Sequence, residues 1–193
     1  MVCIVLPGVS LQAASEDNVI SVEPAELLTP AELNELVGPV ALYPDDLLAI
    51  VLPASTYPLQ IVAAARYRED AATNADLEPA EDWDESVVAL LNYPEALTFL
   101  NDDIDWTWQL GQAVLDQQED VLAAVQTFRD EAYAAGNLGS DDRQVVAVEE
   151  DVVTIKPADP EVIHVPYYEP EEVTVYQTER VYHYYPSAYP VYY

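Results

Sequence analysis

Lysine is nearly missing from this sequence: Lys156 stands alone, and five arginines complete a set of 6 basic residues against 36 aspartates and glutamates. The formal charge of -30 repels nucleic acid backbones and anionic membranes, so neither is an expected partner. Cysteine occurs once, at Cys3, which excludes an intrachain disulfide, a zinc ribbon and a two-cysteine redox motif. The 5 glycines, Gly8, Gly38, Gly111, Gly136 and Gly139, are too scattered for a phosphate-cradling loop. Histidine is limited to His164 and His183, and no serine lies in a G-x-S-x-G elbow, so a nucleophilic triad is not expected. A metal site from the two histidines with Glu161 or Glu169 competes with the commoner outcome of a half-exposed strand histidine. The reading therefore assigns no catalytic, metal or cofactor residues.

What remains is a chain of 193 residues, 51% hydrophobic, long enough to bury a sizeable core. Acidity with so little lysine is the composition of a protein kept soluble in concentrated salt, where screening weakens self-repulsion. An acidic nucleic-acid mimic or a cation-binding protein is the sharper alternative, but the carboxylates are spread along the chain rather than gathered in one stripe.

Residues 1–15 carry no charge, and the apolar run from Val2 to Leu11 followed by Gln12-Ala13-Ala14-Ser15 reads as a secretory signal lacking its basic start. A late translation start or a truncation is the expectation, and a buried N-terminal strand is the alternative. The run is too short to span a bilayer, and no membrane span is expected in the mature chain. Residues 16–28 read as a linker.

Residues 29–138 read as a helical domain. Thr29-Pro30-Ala31-Glu32 is a capping box with proline at the first helical position. Tyr43-Pro44, Tyr57-Pro58 and Tyr93-Pro94 each precede an apolar stretch and mark helix starts, since proline's missing amide hydrogen costs nothing in a first turn. A helix follows Trp83 from Asp84 through Leu91. The longest helix is expected from about Asp103 to Ala135, stopped by Gly136-Asn137. From residue 144 to 177 the β-branched runs read as strands: Val145–Val148 and Val152–Ile155 as a hairpin around Glu149-Glu150-Asp151, then Val162–Val165 and Val173–Tyr176. Nine tyrosines lie between Tyr167 and the end, and residues 178–193 read as an extended, mobile Tyr/Pro-rich tail. The expected fold is mainly α: a helical bundle of several short helices and one long helix, then a small β segment and the tail.

Paired carboxylates such as Asp45 with Asp46, or Asp102 with Asp103 and Asp105, have the chemistry for acid–base work or cation binding. They also fall at helix N-termini, where capping and the helix dipole favour them. Trp83, Trp106, Trp108, Phe99 and Phe128 serve either a core or a ligand groove, with Trp108 facing away from Trp106. The tyrosines suit partner binding through contact area and a polar tip, and the candidates are Tyr167, Tyr168, Tyr176, Tyr182, His183, Tyr184 and Tyr185.

The run from Glu35 to Ala49, containing Ala41-Leu42-Tyr43-Pro44-Asp45-Asp46-Leu47-Leu48, resembles a bacterial envelope family catalogued as domain of unknown function 3300. The likeness continues through Ala54–Leu59 and Ala63–Arg66, Trp83–Val87, Asp105-Trp106-Thr107 with Leu110-Gly111, Gln117–Arg129, Ala135–Leu138, Ile155–Ala158 and Val165–Pro170, spanning about residues 31–176. This sequence differs in having Tyr67 where tryptophan is usual after Arg66, and in a short tail. The resemblance implies export to the periplasm or the cell exterior and carries over no functional residue. The expected function is that of a non-enzymatic exported envelope protein, a structural or interaction module whose β segment and tail meet an envelope protein or cell-wall polymer. A carboxylate-dependent glycan-acting enzyme is the alternative, and it requires an acidic pair beside Trp83 or Trp106.

Overall fold

The computed structural model describes residues 27–74, 76–175, 183–184 and 189–190. The signal reading at residues 1–15 and the candidates Tyr176, Tyr182 and Tyr185 lie outside the described residues. The fold is mainly α.

Helix α1 (Pro30–Val37) starts at the expected capping box: Glu32 N–H donates to Thr29 Oγ1, and Thr29 N–H donates to Glu32 Oε2 at 2.8 Å. The same contacts hold the Glu32 carboxyl below its ordinary value, the backbone bond from Thr29 being the main cause. The Tyr-Pro pairs open α2 (Asp45–Ser55), α3 (Pro58–Ala71) and α5 (Pro94–Asp102), with Tyr57 and Tyr93 as the residues before the first turn of the last two. Helix α4 (Glu85–Leu90) is capped by Asp84, whose carboxylate accepts from Ser86 N and Oγ.

The expected long helix is two helices, α6 (Ile104–Asp116) and α7 (Gln118–Ala134). The break falls at Gln117, with φ -149 and ψ 50, because its side-chain amide is drawn to the incoming chain. Gln117 Nε2 donates to Leu28 O at 3.0 Å, and Leu28 N donates to Gln117 Oε1 at 2.8 Å. The stop after α7 is as expected. Gly136 takes φ +80, its N–H bonds Tyr133 O, and Asn137 N–H bonds Ala132 O, which closes the helix in the left-handed cap only glycine adopts without strain.

Strands β1 (Gln144–Glu149) and β2 (Val152–Pro157) form the expected hairpin, with Glu149 opposite Val152 and positive φ at Glu150 and Asp151. The later strands are shorter than expected. β3 (Val162–Ile163) stops before His164, and β4 is Pro166–Tyr167. The strand expected over Val173–Tyr176 does not form in its described part, Val173 to Val175: Val173 closes a single helical turn, α8 (Pro170–Val173), opened by Pro170, and Asn137 Nδ2 holds the carbonyls of Val173 and Val175. Two described pieces of the tail are paired rather than detached: β5 (His183–Tyr184) runs antiparallel to β4, and β6 (Tyr189–Pro190) antiparallel to β3.

The β segment folds onto the bundle. Val153, Ile155, Ile163, Val165, Tyr168 and Val173 join the helices in one buried cluster. The outer edge of β2 is covered by α7 side chains, since Gln126 Oε1 accepts from Val153 N at 2.9 Å. Helices α2 and α6 touch backbone to backbone at Gly111, where an added Cβ would lie 2.2 Å from Ser55 O. Among the described residues no single helix is long and apolar enough to cross a membrane.

Candidate functional site

The signature run Leu36–Pro44, the end of α1 and the turn that leads into α2, is buried at every position but Pro39. A buried turn strands its carbonyls unless side chains reach them. Four carbonyls are met in this way. Trp106 Nε1 donates to Leu36 O at 3.0 Å, and Tyr168 Oη donates to Gly38 O at 2.6 Å. Arg129 Nε donates to Ala41 O at 2.7 Å and its Nη2 to Tyr43 O at 3.0 Å.

Arg129 is 2% exposed and its third arm carries the charge: Nη1 meets Asp45 Oδ1 at 2.6 Å and Val153 O at 3.0 Å. Asp45 in turn accepts from Ile155 N through Oδ2. Asp45 is therefore the counterion of a structural arginine, and one ion pair joins α7, the turn, α2 and β2. Sequence reasoning passed over Arg129, although it is the only basic residue between Arg68 and Arg143 and stands on an apolar helix stripe with Val125, Phe128 and Ala132.

Tyr168, a partner-binding candidate in the sequence, is a correction. It is 6% exposed, its hydroxyl also accepts from Leu42 N at 3.0 Å, and its ring leans on Phe128 at 6.5 Å. Adjacent tyrosines on an extended segment point to opposite faces, so Tyr168 goes to the core and Tyr167 goes out, 52% exposed. Burial pushes the Tyr168 phenol well above its ordinary value of 10.0. Above about pH 10 the unfolded chain ionises this phenol while the folded chain keeps it neutral, so its contribution is whole below pH 10 and lost as pH rises. Tyr168→Phe is expected to cost about 1–3 kcal/mol at neutral pH, read by urea denaturation, and to flatten the loss of stability above pH 10. An unchanged alkaline slope contradicts this role.

The outward face is a groove of three adjoining depressions crossing β4 and α8. The first, about 660 Å³, lies between α1, α7 and α8 over Phe128, with Glu35, Glu131, Glu171 and Glu172 on its walls. The second, about 370 Å³, shares Glu169 and Pro170 with the first and holds Tyr43, Trp106 and Asp103. The third, about 490 Å³, shares Phe99 and Tyr167 with the second and adds Glu95 and Asp102. Phe99 and Trp106 meet edge-on with centroids 5.3 Å apart. Tyr189 of β6 hydrogen bonds Glu95, and its ring sits edge-on to Tyr93 at 6.2 Å, which brings the tail beside the third depression. Tyr167 Oη donates to Glu169 Oε1 at 3.2 Å.

Of the other candidates, His183 and Tyr184 are placed by backbone pairing opposite Tyr167 and Pro166. Trp83 is half-buried against Tyr67 at 5.7 Å, and Trp108 is 53% exposed, facing away from Trp106 as expected. Asp103 Oδ1 caps α6 by accepting from Trp106 N at 3.0 Å. Asp103 and Glu169 do share the second depression beside Trp106, but both are exposed, unlike the enclosed apolar setting that a glycosidase general acid requires. Among the described residues no group of three or more His, Cys, Asp or Glu converges to hold a metal ion.

No solved structure matches this chain. A relative in Escherichia coli (strain K12), the uncharacterized protein YacH, is 31% identical over 180 residues, covering 74% of this chain and 29% of its own length. The chain thus spans less than a third of that relative. The pattern of the proteins of unknown function termed DUF3300 matches residues 29–193, a range that includes Arg129 with its partners and the lining of the groove, and the chain belongs to that family.

Proposed function

We propose that this chain is a non-enzymatic protein of the bacterial envelope, exported to the periplasm or the cell exterior, and that its β segment and aromatic tail recognise an envelope protein or cell-wall polymer. The observation that carries this reading is the groove centred on Tyr167, where exposed aromatic area and carboxylates converge. Two of the carboxylates weighed for catalysis, Asp45 and Asp103, are engaged in an ion pair and in a helix cap, which favours recognition over turnover. Chemistry of this kind gains most from a few aromatic anchors. Truncation before Tyr167 is a poor test, since it also removes the Tyr168 strut and the Val173 and Val175 carbonyls that Asn137 holds.

The test is capture from a bacterial envelope fraction by the full chain and by Tyr167→Ala. The expected result is a defined protein or wall polymer retained by the first and lost by the second at equal melting temperature. Equal capture by both contradicts the reading.

A further inference from the structure

The groove is acidic along its whole length. Each of the three depressions pairs an aromatic floor or wall with at least two carboxylates: Phe128 with Glu35 and Glu131, Trp106 with Asp103 and Glu169, Phe99 with Glu95 and Asp102. Among the residues whose side chains are described, no lysine, arginine or histidine lines any of them. Of the basic residues in the described chain, Arg129 is consumed by the buried turn and Arg68 donates to Leu91 O. Among the described residues, no side chain on the groove walls supplies a counterion to these carboxylates.

Aromatic faces beside carboxylates define a ligand chemistry. A ring offers its negative face to a cation, and a nearby carboxylate supplies the charge-assisted hydrogen bonds, so the pair favours a planar guanidinium that stacks and forks at once. A sugar would use the same rings and could donate hydroxyls to the same carboxylates, but it neutralises none of their charge, whereas a guanidinium does both. The form of the groove adds a second constraint. Its three depressions follow one another across β4 and α8 and share walls at Glu169 and Pro170, then at Phe99 and Tyr167. A ligand that fills them is extended, with successive groups reaching down, and this describes a peptide in strand or polyproline conformation.

Resting on the recognition reading above, we infer that the groove binds an extended, arginine-bearing segment of a partner protein. Arginine side chains stack on Trp106 and Phe99 and fork to Asp103, Glu169 or Asp102. Tyr167 stands between the second and third depressions and separates two such side chains.

The test uses the purified full chain and a labelled extended peptide with two arginines separated by one residue, followed by fluorescence anisotropy. Its control is the same peptide with citrulline at both positions, which keeps the planar shape and removes the charge. The arginine peptide is expected to bind at least about tenfold more tightly than the citrulline peptide. Tyr167→Ala and Glu169→Gln are each expected to weaken it several-fold with an unchanged melting temperature. Glu119→Gln, an exposed change of equal charge on α7, is expected to leave it unchanged, which separates the groove from diffuse attraction to an acidic surface. Equal binding of both peptides, or equal weakening by Glu119→Gln and Glu169→Gln, overturns the assignment. Tyr167-dependent capture of envelope material together with no arginine preference overturns the arginine assignment alone and leaves the recognition reading standing.

Discussion

Replacing Arg129 by methionine is expected to destabilise the folded chain by about 3–5 kcal/mol, because it removes one partner of a largely buried ion pair and leaves the other in place. The guanidinium serves four acceptors at once: Ala41 O, Tyr43 O, Val153 O and Asp45 Oδ1. Methionine fills much of the space, so the loss isolates hydrogen bonding and charge rather than a cavity. The Val153 carbonyl keeps a long contact of 3.4 Å from Gln126 Nε2, whereas Ala41 and Tyr43 are buried, so their carbonyls lose their donor away from solvent. Lysine at the same position retains the charge, but its three donors radiate from one nitrogen and cannot span the acceptors that Nε, Nη1 and Nη2 reach, so it should recover only part of the loss. Urea denaturation of the three proteins measures this. A cost below about 1 kcal/mol for the methionine variant means that the turn is held by something other than Arg129.

Gly111→Ala is the second large effect, expected at about 3 kcal/mol or more, at the upper end of overpacking costs. The new Cβ would meet Ser55 O at 2.2 Å and Ser55 C at 2.7 Å, and both are backbone atoms of α2 that no rotamer change can move aside. Relief requires α2 and α6 to separate, which opens the contact between two of the main core helices. Gln112→Ala, one position along on the exposed side of the same helix, is expected to stay within about 0.5 kcal/mol of the unaltered chain. Similar thermal melts for the two variants contradict the close crossing.

Local signals in the sequence were read correctly where local chemistry decides. The Thr29 capping box, the Tyr-Pro helix starts, the Glu150-Asp151 turn and the Gly136 stop each depend on residues within a few positions, and each forms as expected. The misreadings share a different cause. Gln117 breaks the expected long helix through Leu28, 89 positions away, and Asn137 turns the stretch near Val173 away from the sheet. No periodicity contains such contacts.

The candidate site was legible only in part. The choice of Tyr167 as a surface residue is consistent with its exposure, but its neighbour Tyr168 went inward for a reason set 130 positions earlier, at Gly38 O. The groove itself draws its walls from α1, the turn, α5, α6, α7 and the β4–α8 segment, so nothing in the order of residues brings them together. The Ala-Leu-Tyr-Pro run, the most specific feature of the sequence, is scaffold: it occupies the core, Arg129 satisfies its Ala41 and Tyr43 carbonyls, and the Tyr168 hydroxyl accepts its Leu42 N–H. The residues to which recognition is proposed to fall are those brought into register by that scaffold.

The most direct test of this division between scaffold and surface is amide hydrogen exchange at Leu42. Its N–H lies outside any helix or strand and donates to the Tyr168 hydroxyl at 3.0 Å. The account predicts that Leu42 exchanges as slowly as the core amides of α2 and α7, through global unfolding, and that Tyr168→Phe accelerates it selectively beyond any change in those helices. Fast exchange at Leu42 in the unaltered chain would place the signature turn at an open surface and contradict its role as the buried frame of the groove.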